Sequence, residues 1–204
     1  GARAASWPRR GRVVAANGPL PLAEESGLIV PLGRWVLAEA CRTAAAWVAS
    51  NPVDADFALA VNVSARQIAY GGLVDDVRQA VVHAGLAPQR LVLEITESVL
   101  VDDSRTVVEQ LRALKDLGVR IAIDDFGTGY ASLAYLRQLP IDILKVDKTF
   151  VDEAASGEQG SRFLRAILNL GRTLQLRTVA EGIEEPDQLA TLRSSGCEIG
   201  QGFY

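Results

Sequence analysis

Short apolar runs alternate with longer amphipathic segments along most of the 204-residue chain. The short runs are rich in Val, Ile and Leu and predict strands over residues 57–64, 90–97, 119–125, 142–147, 177–183 and 198–204. The segments between them carry apolar residues at helical spacing and predict helices over residues 30–50, 73–86, 104–118, 130–140, 161–176 and 185–196. Regular alternation of strands and helices indicates parallel βα units and therefore an α/β protein.

The number of βα units favours a barrel over an open sheet. Six or so units of roughly 25–30 residues each fit a TIM-type (β/α)8 barrel. The alternative is an open doubly wound sheet, but no glycine-rich fingerprint follows the first predicted strand. No linker or low-complexity tract divides the chain, so we predict one domain over residues 1–204.

Polar side chains stand near the end of each predicted strand. In a barrel, the carboxyl ends of the parallel strands meet at one mouth, so these side chains are expected to converge. They are Asn62, Glu94, Glu97, Asp124, Asp125, Lys145, Asp147, Glu181 and Gln201. Taken singly, an Asp at a strand end is more often a turn or cap residue, and Glu94 could simply pair with Lys145. Six strands that end in the same way indicate a functional site.

The residue types at this mouth point to metal chemistry. Crowded carboxylates raise one another's pKa unless a cation offsets their charge. Because the candidate ligands are oxygen donors, a hard ion such as Mg²⁺ or Mn²⁺ is favoured over zinc. An adjacent Asp pair can serve two ions at once, and two ions can clamp both oxygens of a phosphoryl displacement. A nearby lysine could deprotonate a bound water or stabilise charge on the phosphate.

Composition removes several other classes of function. The net charge of −4, without a long basic run, argues against a nucleic-acid polymer as partner. Cys41 and Cys197 are far apart and form no CxxC pattern, and His83 is the single histidine. These residues therefore argue against a zinc site, a disulfide framework and Ser-His-Asp catalysis. A protein with this cysteine usage is expected in a reducing cytoplasm. No apolar stretch is long enough to span a bilayer.

Several segments closely resemble a known family. They are "PLAEESGLIVPLGRWVLAEAC", "VNVSARQ", "LVLEITES", "IAIDDFGTGYASLAYLRQLPIDILKVDKTFV" and "TVAEGIEEPDQLATLRSSGCEIGQGFY". Together they cover the chain almost continuously from Leu22 to Tyr204, and the spacing of "DDFGTGYASL" and "KVDKTFV" is highly specific. On these residues the sequence resembles the EAL domain family, the bacterial cyclic di-GMP phosphodiesterases.

The resemblance implies a modified TIM barrel that hydrolyses one phosphodiester of cyclic di-GMP, giving linear pGpG, with Mg²⁺ or Mn²⁺. By motif, Asn62, Glu94 and Asp124 resemble the ligands of a first metal. Asp124 would bridge to a second metal, which Asp125 and Glu181 would complete.

The remaining motif residues resemble supporting and substrate-binding groups. Lys145 resembles the lysine that positions or activates the water, and Glu97 the glutamate that holds the loop after the Asp pair. Asp147 lies in the motif of Lys145, and Gln201 resembles a glutamine near the metal site. The resemblance also implies a homodimer and sensor or GGDEF domains in the full-length protein. It would be a cytoplasmic domain, or the cytoplasmic part of a membrane-anchored protein.

The start of the chain departs from the family pattern. The family takes its name from a Glu-Ala-Leu motif followed by Arg and Trp, whereas this chain begins "GARAASWPRRG". Trp7 resembles the motif's tryptophan, but Ala2 or Arg3 falls where the metal-binding Glu belongs and Ser6 where the phosphate-contacting Arg belongs. Residues 1–21 match the family poorly, and the closing part of the barrel is expected after residue 204.

Two functions therefore stay open. One is a phosphodiesterase, and the other is a degenerate domain that serves as a cyclic di-GMP receptor or as a regulatory or dimerisation module. For the chain as written, we expect much reduced activity or none.

Overall fold

A computed structural model describes residues 19–50, 57–100, 105–127, 129 and 133–204 of the chain. Its centre is a sheet of parallel strands arranged in sequence order. The strands are β1 (Leu59–Val63), β2 (Leu91–Thr96), β3 (Arg120–Phe126), β4 (Ile143–Val146), β5 (Arg177–Ile183) and β6 (Ile199–Gly202). The sheet curls into a half-barrel, and within the described residues β1 and β6 each pair with one neighbour. The barrel interpretation is confirmed, because a doubly wound sheet would reverse its strand order part-way.

Helices cover one face of this sheet. They are α1 (Pro19–Ser26), α2 (Ile29–Ser50), α3 (Ala65–Tyr70), α4 (Leu73–Ala84), α5 (Arg105–Asp116), α6 (Leu133–Leu136), α7 (Lys148–Ser156), α8 (Glu158–Thr173) and α9 (Pro186–Ser194). Short 3-10 turns lie at Pro88–Arg90 and Glu97–Leu100. Among the described helices, none combines the length and the apolar character that a membrane crossing needs.

The sequence pattern did not predict α1, α3 or α7. Helix α3 is only six residues long, and a capping box holds it, in which Ser64 and Gln67 each bond the other's backbone N–H. Helix α8 also begins three residues before its predicted start. The predicted helix began at residue 161, directly after Gly160, whereas in the structure Gly160 lies inside the helix and only glycine fits there. A Cβ there would lie 2.2 Å from the carbonyl oxygen of Glu153 on α7.

The two faces of the sheet have different roles because successive strand residues point in opposite directions. On the outer face, fully buried side chains pack against the helices in one core, as Leu93, Ile123 and Leu144 illustrate. On the inner face a second, smaller cluster of Val92, Ala122, Ile143 and Val179 fills the base of the half-barrel. One alternation step beyond this cluster, towards the strands' carboxyl ends, the inner face becomes charged.

Substitution of Leu144 with Ala should expose how much stability the outer-face core supplies. Leu144 is completely buried, so its truncation leaves a cavity and should lower the free energy of unfolding by roughly 2–5 kcal/mol. Leu22→Ala is the matched control because Leu22 is 65% exposed, and its effect should stay within about 0.5 kcal/mol. Urea unfolding measures both values. Equal losses in the two variants would contradict this description of the core.

Candidate metal centre and its loop

The register of the sheet brings the predicted site residues together. Asn62 on β1 pairs with Glu94 on β2, and Glu94 pairs with Ala122 on β3, two residues before Asp124. On the other side Lys145 of β4 pairs with Val179 of β5, two residues before Glu181. All these side chains therefore face the inside of the half-barrel near the carboxyl ends of its strands.

Lys145 is the centre of the charged cluster. Its Nζ lies 2.9 Å from Glu94 Oε1, 2.8 Å from Asp124 Oδ1 and 2.8 Å from Glu181 Oε1. Only 5% of Lys145 is exposed. The simple pairing of Glu94 with Lys145 is present, but the same ammonium also joins carboxylates from β3 and β5. One buried cation thus ties the ends of four neighbouring strands.

These contacts keep Lys145 protonated. Burial lowers the pKa of its ammonium, but the hydrogen bonds to Asp124, Glu181 and Glu94 outweigh burial, so the pKa is raised above its ordinary value. In this arrangement Lys145 supplies positive charge and holds no lone pair with which to accept a proton. In this cluster Lys145 therefore acts as the positive partner of three carboxylates.

The carboxylates carry more negative charge than one ammonium offsets. Burial raises the pKa of Glu181, and although Lys145 lowers it, the nearby Asp124 raises it further. Burial also raises the pKa of Asp125, with additional contributions from Asp124 and Asp147. Oxygen atoms of Asp124, Asp125 and Glu181 lie within 4.8 Å of one another. An all-oxygen set with surplus negative charge fits a hard divalent cation such as Mg²⁺ or Mn²⁺.

An irregularity in β3 allows both aspartates to contribute. In a regular strand, adjacent side chains point to opposite faces. Asp125 has a left-handed backbone with φ of 54°, and its N–H donates to Asp124 Oδ1 at 3.1 Å. The pairing of β3 with β4 shifts register between Ile123 and Phe126. This local distortion brings the Asp125 carboxylate beside that of Asp124.

Glu97 and Phe150 hold the chain that follows the Asp pair. Glu97 is buried, and its Oε2 accepts hydrogen bonds from the N–H groups of Gly127 at 2.8 Å and Gly129 at 3.1 Å. Gly127 has a φ of 99°, and a Cβ there would lie 2.6 Å from the Phe150 ring on α7. Only glycine combines this backbone with this close approach.

A pocket of about 270 Å³ adjoins the cluster. Among its lining residues are Asp147, Glu181 and Gln201, so three predicted site residues meet there. Asp147 also caps α7, since its Oδ1 accepts from the N–H of Thr149 at 2.9 Å. The predicted residues thus fall into three groups. Glu94, Asp124, Lys145 and Glu181 are in direct contact with Asp125 beside them, Asn62, Asp147 and Gln201 lie around them, and Glu97 binds the loop after the Asp pair.

Two residues of this pocket were missed by the sequence analysis. Lys148 and Glu184 both line it, and the Lys148 Nζ lies 2.7 Å from Glu184 Oε2. A signal was present, because Lys148 directly follows Asp147 and Glu184 follows Glu181 by three residues. The N-terminal segment that differs from the family motif lies outside the described residues; it contains Ala2, Arg3, Ser6 and Trp7.

A family model of the EAL domain matches residues 2–204. The chain belongs to the EAL domain family. The resemblance drawn from the motifs is therefore confirmed, and the structure of this EAL domain shows where those motifs meet.

Relatives of this EAL domain include named signalling proteins. It is 48% identical over 184 residues to the bifunctional diguanylate cyclase/cyclic di-GMP phosphodiesterase MucR of Pseudomonas aeruginosa, a match that covers 90% of this chain and 27% of MucR. It is 43% identical over 182 residues to the cyclic di-GMP phosphodiesterase NbdA of the same species, covering 89% of this chain and 23% of NbdA. The chain thus spans about a quarter of the length of these relatives.

A solved structure of the PaMucR phosphodiesterase in a c-di-GMP complex is similar to the whole domain. The TM-score is 0.88 at 46% sequence identity, and the alignment covers 97% of this chain and 78% of that chain. The half-barrel described above is therefore similar in fold to the larger part of that structure.

Removal of the Glu97 carboxylate should release the loop after the Asp pair. Glu97→Ala leaves the N–H groups of Gly127 and Gly129 without this acceptor, at a local cost of about 1–3 kcal/mol. We expect faster amide hydrogen exchange at both glycines, while the outer-face core stays protected. Glu109→Ala, which removes an exposed carboxylate on α5, is the control and should leave this exchange unchanged. Unchanged exchange in Glu97→Ala would contradict the assigned contacts.

Proposed function

We propose that this EAL domain hydrolyses one phosphodiester of cyclic di-GMP and releases linear pGpG. The observation that carries the proposal is the cluster of Glu94, Asp124 and Glu181 around the buried Lys145, with Asp125 beside it. Relatives at 48% and 43% identity are named as cyclic di-GMP phosphodiesterases, and a structural neighbour at 46% identity is a c-di-GMP complex.

The carboxylates and Asn62 are proposed to hold two ions of Mg²⁺ or Mn²⁺. Asn62, Glu94 and Asp124 would serve one site, and Asp124, Asp125 and Glu181 the other. Such ions polarise phosphoryl oxygens and lower the pKa of bound water when they are present. The oxygen-only donor set and its surplus negative charge support this assignment.

The other residues of the chain would bind and orient the substrate. Protonated Lys145 would supply a positive charge to a substrate phosphate after release of one of its carboxylate partners, in a domain whose net charge is −4. Gln201 can donate and accept hydrogen bonds in the pocket that it shares with Asp147, and the ion pair of Lys148 with Glu184 lines the same pocket. Glu97 would keep the loop after Asp125 in place through Gly127 and Gly129.

A second function is favoured by one observation of the sequence. Ala2 or Arg3 stands where the family has a metal-binding Glu, and Ser6 where it has a phosphate-contacting Arg. Loss of that carboxylate would weaken the first metal site, and the domain would then act as a cyclic di-GMP receptor or a regulatory module.

The surroundings of the domain are proposed from the same comparisons. A longer protein with sensor or GGDEF domains is supported by the relatives, since this chain spans only 27% of a protein named as a bifunctional cyclase and phosphodiesterase. A homodimer is proposed from the family resemblance. A cytoplasmic location is supported by Cys41 and Cys197, which are both free thiols in the structure.

Incubation of the purified domain with cyclic di-GMP and Mn²⁺ or Mg²⁺ tests the enzyme directly, with pGpG followed by chromatography. Turnover should fall by at least about 100-fold in Asp124→Asn. Mutation of residues that only support metal ligands already lowers metal affinity or activity by up to about 100-fold, and Asp124 is a proposed ligand itself. Asp116→Asn, at an exposed carboxylate that ends α5, should retain full turnover. Turnover would contradict the receptor function, saturable binding without product would contradict the enzyme, and absence of binding would contradict both.

Restoring a carboxylate near the N-terminus tests the degenerate-motif hypothesis. Ala2→Glu and Arg3→Glu are made separately. We expect one of the two variants to bind Mn²⁺ more tightly and to release pGpG faster, because the new carboxylate would add a ligand to the first metal. Calorimetric titration with Mn²⁺ and the chromatographic assay provide the two measurements. If neither substitution changes binding or rate, the missing Glu does not limit this domain.

A further inference from the structure

The hydrogen-bonding capacity of Lys145 is fully used by the carboxylate cluster. A lysine ammonium has three N–H donors and no acceptor. Three carboxylate oxygens, one each from Glu94, Asp124 and Glu181, lie 2.8–2.9 Å from its nitrogen. No donor is left for a water molecule or a phosphate oxygen while these three contacts persist. Any contact of Lys145 with substrate must therefore follow the release of at least one carboxylate.

Two of the three partners of Lys145 also belong to the closely spaced carboxylate group that is proposed to hold the second metal. Asp124 and Glu181 each offer an oxygen within 4.8 Å of the others in the group completed by Asp125, and Glu94 is outside that group. Lys145 and a divalent cation would therefore bind the same two carboxylates, those of Asp124 and Glu181. A second positive charge would also be repelled by the buried ammonium.

We infer that Lys145 is an internal cation that holds the carboxylate cluster together in the metal-free protein and competes with a divalent cation for Asp124 and Glu181. The inference rests on the proposed role of these carboxylates as metal ligands. Release of one of these carboxylates to a divalent cation would leave an N–H of Lys145 available to the substrate. Metal loading and substrate contact by Lys145 are thereby linked.

The environment of the cluster explains why an internal cation is needed. The carboxylates in contact with Lys145 are removed from solvent to different degrees: Glu94 is buried, Asp124 and Glu181 are half-buried, and the neighbouring Asp125 is exposed. The inner face beneath them consists of the apolar cluster of Val92, Ala122, Ile143 and Val179, which offers no charge. Buried charges without a partner strongly destabilise a fold. Lys145 offsets part of this charge from within the chain itself.

Lys145→Met tests the inference in the absence of nucleotide. After removal of metal with a chelator, its thermal midpoint should lie below that of the wild type, because the carboxylates repel one another without the ammonium. Its dissociation constant for Mn²⁺ in calorimetric titration should be lower on the order of tenfold, because a competing charge is gone. Lys115→Met is the matched control, since Lys115 pairs with the single carboxylate of Asp142 at 2.6 Å, and its Mn²⁺ affinity should equal the wild-type value.

A second substitution separates charge from packing. In metal-free protein, Glu94→Gln should lower the thermal midpoint of the wild type, because it removes a charged partner of Lys145. In the Lys145→Met background the same substitution should raise the midpoint, because it removes a repelling charge. If Lys145→Met does not fold without metal, Glu94→Gln or Mn²⁺ should restore folding. The inference would be overturned if Glu94→Gln lowered the thermal midpoint both in the wild type and in Lys145→Met. It would also be overturned if neither Glu94→Gln nor Mn²⁺ restored folding of Lys145→Met.

The metal measurement distinguishes this inference from the proposed enzyme. Unchanged or weaker Mn²⁺ binding in Lys145→Met would overturn the internal-cation role whether or not the wild type produces pGpG. Conversely, if the wild type binds Mn²⁺ but releases no pGpG, the proposed phosphodiesterase activity is contradicted. Tighter Mn²⁺ binding by Lys145→Met would still support the internal-cation role.

Discussion

The alternation of side chains along parallel strands is the constraint on which this domain depends. Every strand must supply apolar residues to the helices outside and, at intervening positions, residues to the inside of the curled sheet. Leu144 and Lys145 show the two demands side by side, one completely buried in the outer core and the other buried among carboxylates. A shift of one residue in any strand would exchange these environments. The core therefore fixes the positions of the site residues.

Charge is the second determinant, and it opposes stability at the place where chemistry is concentrated. The pKa of Asp125 and that of Glu181 are raised first by burial and then by Asp124, so the folded domain holds these carboxyls where they resist ionisation. Lys145 compensates locally with three short contacts. The carboxylates still outnumber the ammonium, and an oxygen-donor set with surplus negative charge suits a hard divalent cation.

The sequence was sufficient to predict the six strands, because each is a short apolar run bounded by turn residues. It also predicted the convergence of Glu94, Asp124, Lys145 and Glu181, which follows once parallel strands form a barrel. Helices α3 and α7 were missed because they are short and depend on the caps at Ser64 and Asp147 more than on hydrophobic periodicity. The left-handed backbone of Asp125 was also missed, because strand periodicity alone places Asp124 and Asp125 on opposite faces.

That distortion links the site to the exterior of the domain. A left-handed backbone at a non-glycine residue costs about 1–3 kcal/mol and persists only where neighbouring contacts hold it. Glu97 supplies two hydrogen bonds just beyond it, and Phe150 packs against Gly127. Phe150 in turn lies 5.2 Å, centroid to centroid, from the ring of Phe163, which is half exposed on α8. A continuous series of packing contacts thus connects the turn at Asp125, through Gly127 and Phe150 on α7, with Phe163 at the surface of α8.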